Sequence, residues 1–273
     1  MNSMQLKNKL KNLSIKKNVD FNTLLRLYMY DRFIERLSKS KYKDNFILKG
    51  GFYLSTLFGV ETRNTMDIDT AFNNADFNEE TIVKMINEIV SIDLDDNAKL
   101  SSVCISQIRD EDEYGGYRVE LLVELDNIKE KFHLDIATGD VITPKAISYN
   151  YKPVLSDKSI KVWAYNIETV LAEKLETILS RLELNGRMRD FYDIYLSVTR
   201  EWNNLNKDIF REAVSNTFNK REFKGNINEN YNIIKESGIL QKRWLMYSNK
   251  YNYANNIKYD EILKYIKQLI DLL

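Results

Sequence analysis

The spacing of hydrophobic residues changes along the chain, and this change most constrains the fold. Short apolar or alternating segments, which are typical of β-strands, occur only between residues 46 and 164. Before and after that region, apolar residues recur near the helical period of about 3.6 residues. The sequence therefore predicts an α+β protein with two lobes. A small mixed β-sheet core with N-terminal helices forms one lobe, and a helical C-terminal region forms the other.

The predicted elements follow from this periodicity. Strands are predicted at residues 46–48, 66–72, 117–125, 132–137 and 160–164, with the third and fourth paired as a hairpin. Helices are predicted at residues 4–38, 52–58 and 79–90, and over most of the chain from residue 167. We place a domain boundary at residue 165, which gives a first domain over 1–165 and a helical second domain over 166–273.

Composition excludes several classes of site. The single cysteine, Cys104, excludes a disulfide framework and a cysteine-based zinc site, and the single histidine, His133, excludes a His-rich metal site. No apolar run approaches the roughly 20 residues that a membrane span needs, and the first 17 residues lack the apolar centre of a signal peptide. We therefore expect a soluble, cytoplasmic protein without membrane contact.

The charges balance overall, with 40 Lys and Arg against 40 Asp and Glu, but they are unevenly distributed. Residues 1–49 contain 12 basic and 4 acidic residues, residues 50–150 contain 8 and 20, and residues 151–273 contain 20 and 16. An acidic middle between basic flanks suits a metal-using site beside a surface that binds a polyanion. Charge alone favours the simpler interpretation, which is a solvated acidic surface with basic helices.

Two motifs in the middle region carry specific chemistry. The pair Gly50-Gly51 lies between a predicted strand and a predicted helix, where glycine lets the backbone approach a phosphate. Asp67 and Asp69 are two positions apart on a predicted strand, so their side chains share one face while Met66 and Ile68 point to the core. Adjacent carboxylates repel each other unless a cation lies between them, and their hard oxygens suit Mg²⁺.

Asp135 is a candidate third carboxylate. It interrupts an apolar strand, where an unpaired carboxylate is unfavourable, so it is either a metal ligand or an edge or turn residue. Together with Asp67 and Asp69 it would complete the three-carboxylate site of a two-metal phosphoryl-transfer enzyme.

Lys174, Asp190 and Asp193 are further candidates in the helical region. Lys174 lies within the apolar stripe of a helix, so its ammonium either reaches a triphosphate or carboxylate, or extends to the helix edge. Asp190 and Asp193 are three positions apart on the next helix, and they form either a second charged wall of the site or a surface ion-pair cluster.

The order of these motifs resembles a known family. The motifs are Lys49-Gly50-Gly51, Arg63-Asn64-Thr65-Met66-Asp67-Ile68-Asp69, Leu134-Asp135-Ile136, Glu173-Lys174-Leu175 and Arg187-Met188-Arg189-Asp190-Phe191-Tyr192-Asp193-Ile194. This pattern is similar to that of the AbiEii/AbiGii-type nucleotidyltransferase toxins of abortive-infection and toxin–antitoxin systems, within the polymerase-β-like nucleotidyltransferases. It extends over residues 46–195.

The resemblance implies an activity. It implies an enzyme that uses Mg²⁺ or Mn²⁺ to move a nucleoside monophosphate from an NTP to an acceptor hydroxyl. The expected acceptor is the 3′ end of tRNA, so that translation stops in antiviral defence. The resemblance also implies a cognate antitoxin that is encoded separately.

The resemblance assigns roles to particular residues. The implied metal ligands are Asp67, Asp69 and Asp135, and the implied catalytic residues are these three with Lys174, Asp190 and Asp193. The implied nucleotide-binding residues are Lys49, Gly50, Gly51, Arg63, Thr65 and Lys174. Gly51 departs from the wider superfamily, which has a serine there, so a hydroxyl that would contact phosphate is missing.

Two alternatives stay open at this stage. One keeps the reaction but moves the nucleotide to a protein or small-molecule hydroxyl, and the other is an NTP-binding regulator without catalysis. The basic segment 1–49 favours an RNA acceptor. Tyr247, Tyr251 and Tyr253 are candidates for stacking on unpaired bases, although core packing is the more common role of such residues. His133 shares a strand with Asp135, and a structural role is favoured for it.

Overall fold

The computed structural model describes residues 1–108 and 115–273. The chain forms two compact units, and each consists of two segments. The first unit contains Met1–Gly139 and Ile147–Ala164, and the second contains Asp140–Ala146 and Tyr165–Leu273. Strands lie in the first unit and a set of helices forms the second, which confirms the predicted α+β class.

In the described part of the first unit, seven strands form one mixed sheet. They are β1 (Phe46–Leu48), β2 (Asp67–Phe72), β3 (Lys99–Ile108), β4 (Gly116–Leu125), β5 (Ile128–Ala137), β6 (Ile147–Tyr151) and β7 (Ile160–Ala164). The spatial order is β3-β4-β5-β2-β1-β7-β6. β2 is parallel to β5 and β1 is parallel to β7, whereas the other neighbours are antiparallel. β2 therefore lies in the interior of the sheet, beside β1 and β5.

Four helices accompany the sheet within the described residues of this unit. They are α1 (Ser3–Lys17), α2 (Phe21–Lys39), α3 (Gly50–Phe58) and α4 (Glu79–Val90). The single helix predicted over residues 4–38 is wrong, because the chain breaks between α1 and α2. Asn18 ends α1 in the left-handed conformation, with φ 52°, and the Asp20 side chain caps α2 by accepting the Thr23 N–H.

Two strands, β3 and β6, were not predicted from the sequence. Both lie at the edges of the sheet, so each pairs with one neighbour within the described residues. Most side chains of β3 are exposed or half-buried on both faces, including Val103 and Cys104. An edge strand without a buried face does not show the alternation on which strand prediction depends.

Asp31 is a buried carboxylate that joins α2 to β6 and the loop after it. Its side chain is 1% exposed. The Tyr151 hydroxyl donates to its Oδ1, and the Val154 N–H donates to its Oδ2 at 2.8 Å. Burial raises the pKa of Asp31 to about 7, although these two hydrogen bonds oppose the rise.

This raised pKa predicts a pH-dependent contribution to stability. Because the folded state holds the Asp31 proton more tightly than the unfolded chain, the contribution is complete at low pH and is lost as pH rises through about 7. Asp31→Asn removes the titration, since an amide can accept from Val154 and donate to the Tyr151 hydroxyl. We expect the stability difference between wild type and variant to shift by about 4 kcal/mol between pH 4 and pH 8. Urea denaturation at both pH values measures this difference. Parallel stability curves for the two proteins would contradict it, and Asp76→Asn at an exposed position is the control.

The second unit is helical. Its helices are α5 (Ile167–Arg181), α6 (Met188–Glu201), α7 (Lys207–Lys220), α8 (Ile227–Glu236), α9 (Gly238–Lys250) and α10 (Tyr259–Ile270). Asn166, Asn206 and Asn226 cap α5, α7 and α8 by accepting backbone N–H groups. Arg221, just after α7, contacts Glu176 on α5 at 3.0 Å and Asp140 at 3.3 Å, and this network ties the 140–146 segment to the helices. Across the described ranges 1–108 and 115–273, the helices are all too short or too polar to span a lipid bilayer.

Candidate active site

β2 presents Asp67 and Asp69 on one face of the sheet. Ile68, between them, points to the other face and is fully buried. The two carboxylates are half-buried, because successive side chains of a strand point to opposite faces and theirs lie on the more exposed face. Met66 was predicted to point to the core, and this is wrong: it precedes β2 and is 44% exposed.

Neighbouring strands extend this face into two rows of polar side chains. β5 runs parallel beside β2, and β4 runs antiparallel beside β5. Directly paired residues on adjacent strands place their side chains on the same face. The first row is Asp67, His133 and Glu120, and the second row is Asp69, Asp135 and Arg118.

His133 links the two carboxylates of the first row. Its Nδ1 lies 3.1 Å from Asp67 Oδ1, and its Nε2 lies 3.9 Å from Glu120 Oε2. Glu120 also accepts from Lys131 Nζ at 2.7 Å. His133 is therefore placed to orient Asp67, which fits the structural role favoured from the sequence.

Arg118 binds Asp135 in the second row. Arg118 Nε donates to Asp135 Oδ1 at 2.7 Å, and Nη2 donates to Oδ2 at 2.6 Å. The hydrogen bonds to Asp135 raise the pKa of Arg118 above its ordinary value, and the charges of Asp67 and Asp69 add to the rise. One guanidinium therefore lies within the electric field of three carboxylates.

The glycine turn lies against Asp69. Gly50 has a positive φ of 58°, and a Cβ built on it would lie 2.6 Å from Asp69 Oδ2. The Gly51 N–H, in the first turn of α3, donates to the same Oδ2 at 3.0 Å. Lys49 precedes α3 as its N-cap residue. Any side chain at position 50 would therefore displace the Asp69 carboxylate.

Arg63 and Thr65 complete the surroundings of the turn. A Cβ on Gly51 would lie 2.6 Å from Arg63 Nη2, and Arg63 is buried. The Thr65 hydroxyl donates to the Asp67 carbonyl oxygen at 3.1 Å. The guanidinium of Arg63 therefore occupies the space that the serine side chain of the wider superfamily would need at position 51.

The helical unit contains the other predicted charged residues as a buried ion cluster. Lys174 on α5 lies 2.7 Å from Asp190 Oδ1 and 2.7 Å from Asp193 Oδ2, both on α6. The Asp193 side chain is fully buried, and Arg187 Nε lies 3.3 Å from Asp190 Oδ2. Burial lowers the pKa of Lys174, but the two carboxylates more than offset this and leave the pKa above its ordinary value. Lys174 thus does not extend to the helix edge, and Asp190 and Asp193 are not a surface cluster.

The donor set at Asp67 and Asp69 fits a hard divalent cation. Two carboxylates on one strand face supply the oxygen ligands that Mg²⁺ prefers, while water and substrate phosphates supply the rest. Among the residues that the structure describes, no group of three or more His, Cys, Asp or Glu side chains is arranged to hold a metal ion. Asp135 as a third ligand stays a prediction, since Arg118 takes both its oxygens here.

Arg118 and Glu120 were missed by the sequence analysis. Their two-residue spacing on β4 matches that of His133 and Asp135 on β5, so all four share one face. The hairpin was predicted, but its register was not. Leu125 pairs with Ile128 across the turn at Asp126, and this register places Arg118 opposite Asp135.

The chain is similar to known nucleotidyltransferases in its sequence profile and in its fold. The profile of the family described as nucleotidyl transferase AbiEii toxin, type IV TA system, matches residues 32–265. No curated protein is similar enough to count as a match. A candidate nucleotidyltransferase from Helicobacter pylori has a similar structure, with TM-score 0.50, 14% identity, and coverage of 93% of this chain and 96% of that chain. MenT4, a nucleotidyltransferase toxin from Mycobacterium tuberculosis H37Rv, matches with TM-score 0.50 and 12% identity over 92% of both chains.

The structural likeness at such low identity concerns the fold, whereas the family profile spans most of the chain, including both groups of charged residues. The chain therefore belongs to the AbiEii nucleotidyltransferase toxin family of type IV toxin–antitoxin systems, and it is a nucleotidyltransferase.

Proposed function

We propose that this toxin transfers a nucleoside monophosphate from an NTP to the 3′-terminal hydroxyl of tRNA in the presence of Mg²⁺ or Mn²⁺. The observation that carries the proposal is the placement of Asp67 and Asp69 on one strand face, directly beside the Gly50-Gly51 turn. Loss of a usable acceptor end would stop translation, which fits a toxin of an antiviral, abortive-infection system acting in the cytoplasm. Membership of the toxin family implies a cognate antitoxin as a partner.

The residues around Asp67 and Asp69 in the first unit have proposed roles. Asp67 and Asp69 would hold a divalent cation, which would supply positive charge to neutralise the triphosphate. The turn at Lys49, Gly50 and Gly51 accommodates phosphate close to the backbone, and Arg63 and Thr65 border it. His133 keeps Asp67 in position through its Nδ1 contact.

In the proposed reaction, one bond to the α-phosphorus of the NTP forms and one breaks. The acceptor hydroxyl oxygen bonds to the α-phosphorus, the bond from that phosphorus to the bridging oxygen of the β-phosphate breaks, and pyrophosphate leaves. The hydroxyl proton passes to water. We propose that the ion cluster of Lys174, Asp190 and Asp193 is also required for transfer.

Two features favour RNA over a protein or small-molecule acceptor. The N-terminal 49 residues, which include α1 and α2, have an excess of basic residues that suits a phosphate backbone. In the helical unit, Tyr251 and Tyr253 are half-buried and stacked, with ring centroids 5.2 Å apart, and Arg189 lies 5.9 Å from the centroid of the Tyr251 ring. Tyr247 is buried, so of the three tyrosines considered for stacking it belongs to the core.

The test is transfer of label from each of the four α-³²P-labelled NTPs to purified tRNA, to total cell protein and to an aminoglycoside. We expect label in tRNA with one or more NTPs, and no label when EDTA removes the metal. Label in protein or in the small molecule, with none in tRNA, would replace the proposed acceptor. Transfer that continues in EDTA would contradict the metal requirement.

A further inference from the structure

Arg118 is a cation built into the carboxylate cluster of the first unit. It forms two parallel hydrogen bonds with Asp135, at 2.7 and 2.6 Å, in the fork geometry that makes arginine–carboxylate pairs strong. The Asp135 side chain is 21% exposed and that of Arg118 is 43% exposed, so the pair is partly accessible to solvent. The sequence motifs did not include Arg118.

The charges around the cluster suit one divalent cation better than two. Asp67, Asp69 and Asp135 carry three negative charges when ionised, and Arg118 neutralises one of them. Asp67 and Asp69 remain as the two carboxylates that can ligate a single divalent cation. A second divalent cation would face the guanidinium at short range, and Asp135 would have to give up both hydrogen bonds to bind it.

Position along the sheet supports the same conclusion. Asp69 is paired with Asp135, and Asp135 with Arg118, so Arg118 is two strands away from Asp69 and its side chain extends along the same face to Asp135. Glu120, the equivalent residue of the first row, is already bound by Lys131. Each row therefore ends in a side chain whose charge is already matched by a neighbour.

We propose that Arg118 takes the place of a second metal ion, so that the site holds one divalent cation on Asp67 and Asp69 and keeps Asp135 out of the metal's coordination. This rests on the proposed metal-dependent function and deepens it by fixing the number of metal ions. Arg118 acts as a positioning residue: it holds Asp135 in a single orientation beside Asp69.

The experiment is Mn²⁺ binding measured by electron paramagnetic resonance of the free ion, without nucleotide, on five proteins and one control. These are wild type, Arg118→Met, Arg118→Lys, Asp135→Asn and Arg118→Met with Asp135→Asn. Arg200→Met, at an exposed arginine of α6, is the control for loss of an arginine. Thermal unfolding confirms that each variant is folded, which is expected because Arg118 is partly exposed.

We expect wild type, Arg118→Lys and Arg200→Met to bind about one Mn²⁺ per chain. Arg118→Met should bind about two, because it frees the Asp135 carboxylate, and adding Asp135→Asn should return it to about one. Arg118→Met with Asp135→Asn, which removes one charge of each sign, should leave Mn²⁺ affinity within about threefold of wild type, whereas loss of a true ligand costs more than about tenfold. Asp135→Asn alone leaves the Arg118 guanidinium without its carboxylate, so this variant should bind Mn²⁺ more weakly than the double variant.

Three results would overturn the inference. They are two ions on wild type, a single ion on Arg118→Met, or a loss of affinity of more than about tenfold in Arg118→Met with Asp135→Asn. Failure of the proposed function gives a different result: no Mn²⁺ binds to any of the proteins, and label transfer does not respond to metal.

Discussion

Asp69→Asn is expected to lower the rate of nucleotidyl transfer about a thousandfold while the fold is retained. The loss of a charged metal ligand removes several kcal/mol of transition-state stabilisation, and each 1.36 kcal/mol corresponds to about a factor of ten. The fold is retained because an amide oxygen at this position can still accept the Gly51 N–H that Asp69 Oδ2 accepts at 3.0 Å. The measurement is the initial rate of α-label incorporation at saturating NTP.

A matched control separates this effect from general loss of negative charge. Asp76→Asn makes the same chemical change at an exposed position of the same unit and should leave the rate within about twofold of wild type. A rate for Asp69→Asn within about tenfold of wild type would show that the carboxylate is not a metal ligand in the reaction.

Lys174→Met is expected to destabilise the helical unit by about 3–5 kcal/mol and to abolish transfer. Lys174 is the partner of two buried carboxylates at 2.7 Å, and removing it leaves Asp190 and Asp193 buried without that cation. Methionine fills a similar volume, so the loss comes from charge rather than from a cavity. Urea denaturation followed by tryptophan fluorescence measures the change.

A second variant separates the structural role from the role in transfer. Lys174→Met combined with Asp190→Asn and Asp193→Asn removes all three charges and should recover much of the lost stability, because uncompensated buried charge is the main penalty. It should remain inactive. Lys242→Met, at an exposed lysine of α9, should change neither stability nor rate. Wild-type stability in Lys174→Met would contradict the role given to the cluster, and so would activity in the triple variant.

The parts of the fold with a clear hydrophobic pattern were predicted well. α4 begins and ends at the predicted residues, because an asparagine cap precedes a strongly amphipathic segment. The shared face of Asp67 and Asp69 follows from two-residue alternation around the fully buried Ile68. These properties depend on neighbouring residues alone, so one sequence is enough to find them.

Properties that depend on distant residues were not accessible in this way. The placement of Arg118 beside Asp135 depends on the register of the β4–β5 hairpin, which the turn at Asp126 sets. The double salt bridge of Lys174 depends on how α5 packs against α6, and periodicity shows only that Lys174 lies on an apolar face. Edge strands such as β3 lack a buried face to signal their presence.

The central claim is nucleotidyl transfer at Asp67 and Asp69, and one paired measurement tests it directly. The wild-type protein is incubated with Mg²⁺, tRNA and the same NTP labelled either at the α-phosphate or at the γ-phosphate. We predict that the α-label enters tRNA and that the γ-label is released as pyrophosphate, and that Asp69→Asn neither incorporates the α-label nor releases labelled pyrophosphate. Entry of the γ-label into the acceptor, or α-label transfer of equal rate by Asp69→Asn, would contradict it.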